Sequence, residues 1–129
     1  MRLLVVGDDS LLQRLVINLL DNAIKYSDDG GTVSDRVTIL GDGIALDVSN
    51  GGPGIPAEAR PQVFDRFFRA DAARTHHGNG RNAGSGLGLS IARWIAELHG
   101  GRLELSDASA ATTTFTLSLP REPTLHVAR

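Results

Sequence analysis

The spacing of apolar residues divides the first half of the chain into a helix and a pair of strands. Between residues 10 and 26 apolar side chains recur every three or four positions, which predicts an amphipathic helix, and the turn-rich residues 27–31 end it. Residues 36–40 and 44–49 instead alternate and are rich in β-branched side chains, on either side of Gly41-Asp42-Gly43. This pattern predicts a β-hairpin.

The second half repeats the order of helix and hairpin. Residues 87–99 regain helical spacing and stop at two glycines, and residues 102–106 and 113–119 form a second predicted hairpin. Residues 3–6 predict a short buried strand, and residues 57–64 a short helix. We therefore expect an α+β fold in two layers, with the helices packed on one face of a mixed β-sheet.

The segment from about residue 65 to residue 85 has no clear periodicity. Loops of this length are uncommon in compact domains and are usually functional lids or disordered segments. Because the chain has 129 residues, we expect one folded domain over residues 1–120 and a polar tail at residues 121–129.

Composition excludes several classes of protein and site. A net charge of −2 gives no electrostatic reason to expect nucleic acid or an anionic membrane as a partner. The absence of cysteine excludes disulfides, thiolate metal sites and a cysteine nucleophile. The apolar run after Met1 is too short for a signal peptide or a membrane span. We expect a soluble cytoplasmic domain that is monomeric in isolation. A membrane anchor, if the protein has one, would lie in another part of a longer protein.

The predicted helix at residues 10–26 carries the first candidate chemistry. Asn18, Asn22 and Lys25, the only lysine in the chain, share one side of that helix. Amide oxygens suit Mg²⁺, which also keeps waters and substrate phosphates, and a nearby lysine can neutralise those phosphates. A solvated helix edge explains the same residues, so the stripe indicates a ligand site only in combination with the loops that follow.

Two glycine clusters flank the loop at residues 65–85: Gly52-Pro53-Gly54 before it, and residues 84–88 at its end. The second opens into a predicted helix, where closely approached N–H groups can bind phosphate, although an ordinary turn explains the glycines equally well. Lys25 lies at the end of a predicted helix and is not directly preceded by a glycine, so the Gly-Lys-Ser/Thr motif of a P-loop is absent. The first cluster also matches a dinucleotide fingerprint, but no strand follows to complete the required βαβ unit.

Together these motifs resemble the catalytic ATP-binding domain of sensor histidine kinases of two-component systems, within the gyrase, heat-shock chaperone, histidine-kinase and mismatch-repair ATPase superfamily. The resemblance covers about residues 3–120 and implies the Bergerat ATP-binding fold. Four motifs carry it in the family's order: the N box Asn18–Ser27, the first glycine box Asn50–Pro56, the F box Phe64–Arg69 and the second glycine box Gly84–Ala92.

The resemblance implies ATP and Mg²⁺ as ligands. Asn22 would bind Mg²⁺ directly, and Asn18 would assist through water or by orientation. Lys25 and Arg69 would approach the phosphates during transfer. The other implied nucleotide contacts come from the end of the N box, the two glycine boxes and the F box: Tyr26, Asn50, Gly52, Gly54, Ile55, Phe68, Gly84, Ser85, Gly86, Leu87, Gly88 and Leu89.

Two positions bear on activity. The family usually has Asp at the position of Asn50, whose carboxylate accepts a hydrogen bond from the adenine amino group. Asn accepts without charge assistance, so we expect weaker affinity for adenine nucleotides or looser base selectivity. Asn50→Asp should then tighten the binding of adenine nucleotides. Members that hydrolyse ATP with water carry Glu at the position of Asn18. An asparagine cannot act as that base, which favours transfer to a histidine.

The phosphoacceptor is not evident in this chain, because none of its histidines, at positions 76, 77, 99 and 126, has the family's phosphoacceptor context. The expected partner is a histidine phosphoacceptor domain, in a longer kinase or on a separate protein, which would serve a response regulator indirectly. The alternative is a nucleotide-binding interaction module without phosphotransfer, for which Asn50 is the support.

Overall fold

The computed structural model describes residues 7–27, 30–52, 54–66, 87–108 and 112–121. Within these residues, two α-helices, four strands and one 3₁₀ helix follow one another in chain order: α1 (Asp9–Tyr26), β1 (Val33–Leu40), β2 (Gly43–Gly51), the 3₁₀ helix (Ala57–Gln62), α2 (Gly88–Leu98), β3 (Arg102–Ala108) and β4 (Thr112–Pro120).

Helix α1 begins and ends as its sequence predicts. The Asp8 carboxylate accepts from the Leu11 N–H at 2.9 Å and caps the first turn, while Lys25 lies in the last turn, where a cation favours the helix dipole. Leu15, Leu19 and Ala23 are fully or almost fully buried at intervals of four residues. Burying a leucine stabilises a fold by about 2 kcal/mol, so these positions anchor the helix.

The four strands form one sheet in the order β1-β2-β4-β3, and every described pairing is antiparallel. Val48 of β2 lies opposite Phe115 of β4, and Leu105 of β3 lies opposite Phe115 on the other side. Both helices pack on the face that carries these residues, α1 over β2 and α2 over β3 and β4. The predicted α+β fold with helices on one face is confirmed. The predicted strand at residues 3–6 lies outside the described residues, so any parallel pairing it would add stays a prediction.

The core lies between the helix layer and the sheet. Alternate residues of β4 face the helices, and the small side chains Ala92 and Ala96 let α2 approach α1 closely. Phe64, from the turn after the 3₁₀ helix, meets Phe115 edge to face with ring centroids 5.7 Å apart. The edge-to-face contact adds a specific geometry to the burial of apolar surface.

Several boundaries differ from the sequence prediction. β1 begins at Val33 rather than at residue 36, because its backbone pairs with β2 up to Asn50 regardless of how few of its side chains are buried. Asp107 and Ala108 belong to β3 rather than to the turn, since an irregularity between Leu105 and Asp107 lets the strand continue. The predicted lid at residues 65–85, apart from its first two residues, and nearly all of the tail at residues 121–129 lie outside the described residues.

His99 joins the two helices at the end of α2. Its Nδ1 lies 2.8 Å from the Ile95 carbonyl oxygen and donates to it, while its Nε2 accepts from the Asp8 N–H at 3.0 Å. The side chain is 7% exposed. The C-terminus of α2 is therefore tied directly to the residue that caps α1.

Candidate nucleotide-binding site

The side chains of the predicted stripe lie on α1 as the spacing indicates. Asn18, Asn22, Lys25 and Tyr26 are all half-buried, so they line the boundary between the helix and solvent rather than the core. A half-buried amide or ammonium group keeps access to a ligand while its stem is held by packing.

Asn18 connects this stripe to the start of α2. Its Nδ2 donates to the Gly88 carbonyl oxygen at 3.2 Å. This bond joins the predicted N box to the second glycine box across the helix pair, and it commits the amide nitrogen while leaving Oδ1 as an acceptor. The role that the sequence gives Asn18, orientation rather than proton transfer, fits this contact.

The N-terminus of α2 is suited to an anion. Its first-turn N–H groups, which belong to Gly88, Leu89 and Ser90, have no acceptor within the helix. The N-cap residue of α2 is Leu87, whose side chain forms no capping hydrogen bond, and no acidic residue lies in the first turn. A Cβ at Gly88 would meet no heavy atom of the described residues within 4 Å, so these residues leave space beside this backbone. The arrangement favours a bound phosphate, because the helix dipole places partial positive charge at this end and the N–H groups can donate to phosphate oxygens.

Among the described residues of the candidate site, Asn50 is the most buried polar one, at 3% exposure near the end of β2. Its Nδ2 donates to the carbonyl oxygens of Tyr26 and Gly51, each at 3.3 Å. Among the described residues, none donates to its Oδ1. A buried acceptor without a partner costs free energy until a donor arrives, and the adenine amino group is such a donor.

Sequence reasoning missed Thr113. It lies directly opposite Asn50 across the β2–β4 ladder and is 6% exposed, on the same face as Phe115 and Leu117. The available signal was the alternation of β4, in which a hydroxyl occupies a core-facing position among apolar residues. Asn50 and Thr113 together place two buried polar side chains side by side at the end of the sheet nearest Tyr26.

The first glycine box leaves β2 through residues of unusual backbone and burial. Gly52 is buried, and Gly54 has a φ of +80°, which favours glycine because it lacks a Cβ. Ile55 packs against the core, and its carbonyl oxygen accepts from Arg60 Nε at 3.0 Å. The box is thus held on both sides while its glycines remain close to Asn50. The remaining predicted contacts lie outside the described residues: Phe68, Arg69, Gly84, Ser85 and Gly86.

The described donor set fits a magnesium nucleotide. Within residues 7–27, 30–52, 54–66, 87–108 and 112–121, no three His, Asp or Glu side chains come together as a metal site. A metal at α1 would therefore depend on amide oxygens, water and the phosphates of a ligand, which is the environment that Mg²⁺ commonly has with nucleotides.

Comparison with known proteins identifies the family. Residues 7–123 match the family model described as "Histidine kinase-, DNA gyrase B-, and HSP90-like ATPase". The chain belongs to this family of ATP-binding domains, and its motifs, fold and buried acceptor at Asn50 agree with that membership.

Individual relatives are sensor histidine kinases. The chain is 40% identical over 119 residues to the sensor-like histidine kinase SenX3 of Mycolicibacterium smegmatis, covering 92% of this chain and 30% of that protein. It is 44% identical over 124 residues to the histidine-protein kinase/phosphatase MprB of Mycobacterium sp. strain KMS, covering 92% of this chain and 23% of that protein. The chain thus spans less than a third of these curated relatives.

Solved structures agree with the fold. The mycobacterial sensor histidine kinase MprB superposes with a TM-score of 0.76 at 41% identity, covering 93% of this chain and 78% of that one. The catalytic domain of the histidine kinase ThkA gives 0.73 at 27% identity, covering 93% and 73%. Across the described residues, no helix is long and apolar enough to cross a membrane.

Proposed function

We propose that this chain is the ATP- and Mg²⁺-binding catalytic domain of a histidine kinase, which donates the γ-phosphoryl group of ATP to a histidine on another domain or protein. The observation that carries the proposal is the Asn18–Gly88 hydrogen bond, because it joins the amide and lysine stripe of α1 to the anion-binding N-terminus of α2. Metal ligands, a phosphate-neutralising cation and phosphate-binding amides then lie along one site.

Each group has a defined task in this proposal. Asn22 holds Mg²⁺, which offsets charge on the phosphates, while Lys25 and Arg69 add positive charge as negative charge moves to the leaving ADP. Asn50 accepts from the adenine amino group. A neutral imidazole nitrogen attacks the γ-phosphorus, a nitrogen–phosphorus bond forms, and the bond to the β-phosphate oxygen breaks. The domain supplies mostly position and charge, since the acceptor brings its own nucleophile.

The acceptor is proposed to be a histidine-bearing helical domain, supplied by a longer kinase or by a separate protein, and a response regulator would receive the phosphate afterwards. Because ATP is supplied inside the cell, the domain would act on the cytoplasmic side, as a monomer when isolated. The lid at residues 65–85, with Phe68, Arg69 and the glycines at positions 84 and 86, is proposed to close over the phosphates.

A transfer assay tests this function. The chain is incubated with γ-labelled ATP, Mg²⁺ and a histidine hairpin from a neighbouring reading frame or from a relative such as MprB. We expect acid-labile, alkali-stable label on the hairpin, and none when its histidine is replaced by alanine. Release of free phosphate at the same rate with and without the hairpin would contradict the proposal and indicate an ATPase instead.

A second candidate function is a nucleotide-binding regulatory module without phosphotransfer. The presence of Asn50 where the family usually has Asp favours it, because a neutral acceptor weakens one contact to the base. Nucleotide binding in calorimetry, together with no label on any histidine hairpin tested, would select this alternative.

A further inference from the structure

Asn50 has an amide nitrogen and a carbonyl oxygen, and the structure assigns them different tasks. Nδ2 donates to the Tyr26 and Gly51 carbonyl oxygens, each at 3.3 Å. Both partners can only accept, so turning the amide over would bring its own oxygen against two acceptors. Asn50 is 3% exposed, so bulk solvent has little access to its amide. The orientation of this amide is therefore set by its neighbours.

The contact with Tyr26 also completes helix α1. Tyr26 is the last residue of α1, and carbonyl groups in the last turn of a helix have no donor within it. Asn50, from β2, supplies one of the missing donors. A carboxylate could not donate there and would face the negative end of the α1 dipole. The amide therefore contributes a donor to the end of α1, independently of any ligand.

On the basis of the proposed function, we propose that Asn50 is a base-specificity residue, locked as a hydrogen-bond acceptor by the C-terminus of α1. A freely rotating asparagine could accept from the 6-amino group of adenine or donate to the 6-oxo group of guanine and hypoxanthine. The lock leaves only Oδ1 for the base. The site then takes 6-aminopurine nucleotides and rejects 6-oxopurines, because an acceptor would meet a buried acceptor.

This inference changes the expected effect of Asp at position 50. From the family pattern alone, Asn50→Asp should tighten adenine binding. In this structure the same change removes the donor to Tyr26 and Gly51 and puts a negative charge 3.3 Å from their oxygens. The exchange costs stability in the folded domain before any nucleotide binds.

Melting without nucleotide tests the lock. Wild type, Asn50→Asp, Asn50→Ala and Gln62→Glu are compared, the last being a matched amide-to-acid change at an exposed residue of the 3₁₀ helix. We expect Asn50→Asp to lower the melting temperature by at least about 5 °C, and by more than Asn50→Ala, while Gln62→Glu changes it by about 1 °C or less. A variant too unstable to fold is the extreme of the same result. An Asn50→Asp variant as stable as wild type would overturn the lock.

Calorimetric titration with Mg²⁺ and ATP, ITP or GTP tests base reading. We expect wild type to bind ATP at least about tenfold more tightly than ITP or GTP, and Asn50→Ala to bind ATP and ITP within about threefold of each other. Asn50→Asp should not bind ATP more tightly than wild type. Equal wild-type affinities for ATP and ITP would overturn the inference and leave the proposed function intact, whereas no binding of any nucleotide would overturn both.

Discussion

Asn22 offers a substitution for which stability and ligand binding should change in opposite directions. It is half-buried in the C-terminal half of α1, and no described residue forms a hydrogen bond with its side chain. Alanine is the better helix former by roughly 0.5 kcal/mol, so Asn22→Ala should raise the melting temperature of the nucleotide-free protein by about 1–2 °C. A residue kept for its contribution to the fold would behave in the opposite way.

The loss should appear only with ligand. At a nucleotide concentration of about 100 times the wild-type Kd, binding adds about 2.7 kcal/mol of stability, and a tenfold weaker variant retains only about 1.4 kcal/mol. Removing a direct metal ligand should weaken binding at least about tenfold, since even outer ligands are worth that much. We therefore expect the shift in melting temperature caused by Mg-ATP to fall to about half or less of the wild-type shift.

Thermal melts with ATP plus Mg²⁺ and ATP plus EDTA measure both effects together. Gln13→Ala is the matched control, because Gln13 is an exposed amide on the same helix whose side chain donates to the Asp9 carboxylate at 3.3 Å. It should retain the full Mg²⁺-dependent shift. If Asn22→Ala retains that shift as well, Asn22 is not a metal ligand and the alignment of the N box is wrong.

Three further changes have defined outcomes. Lys25→Met should weaken Mg-ATP binding about tenfold and reduce the salt dependence of that binding, with little change in melting temperature. Arg14→Met, on the exposed part of α1, should change neither the affinity nor its salt dependence. If Lys25→Met and wild type show the same salt dependence, Lys25 does not contact the phosphates. His99→Phe keeps a ring but loses the bonds to Asp8 and Ile95, so it should cost about 1–3 kcal/mol in urea unfolding, while Trp94→Phe, at a side chain 54% exposed, should cost little. Gly43→Ala would force a Cβ onto the Leu119 carbonyl oxygen and should cost about 2 kcal/mol. In the control Gly41→Ala, in the turn of the β1–β2 hairpin, the new Cβ would have no neighbour within 4 Å among the described residues, and equal melting temperatures of the two variants would show that β2 and β4 can separate there.

The elements that could be predicted from sequence are those whose signal is local. Helix α1 has a cap, an apolar stripe and a turn after it, so its predicted start at residue 10 differs from Asp9 by one position. The hairpins follow from alternation and turn residues, although β1 and β3 extend further than their patterns, because backbone pairing continues where side-chain burial gives no signal. Pairs of residues from one element are therefore recoverable from periodicity alone.

The contacts that give the candidate site its chemistry join distant parts of the chain. Asn50 reaches a carbonyl 24 positions away, Asn18 reaches one 70 positions away, and His99 accepts from an N–H 91 positions away. Spacing within one segment contains no information on such partners. For this reason the sequence identified Asn50 as a departure from the family but did not show the carbonyl groups around it, and it missed Thr113, whose significance depends on the register between β2 and β4.

These long-range bonds hold α1 at three points along its length. Before the first turn of α1, the Asp8 N–H donates to His99 at 3.0 Å. In the middle of α1, Asn18 donates to the Gly88 carbonyl oxygen at 3.2 Å. At the end of α1, the Tyr26 carbonyl oxygen accepts from Asn50 at 3.3 Å. Packing of Leu15 and Leu19 holds the helix against the core without direction, so it would permit sliding or rotation. A slide by one residue moves the helix about 1.5 Å and turns each side chain by about 100°, which would break all three bonds and reorient Asn22. The position of the proposed metal ligand is therefore determined by hydrogen bonds from β2 and from both ends of α2, and a change at any of the three should affect Mg-ATP affinity even though two of these contacts lie at opposite ends of the helix.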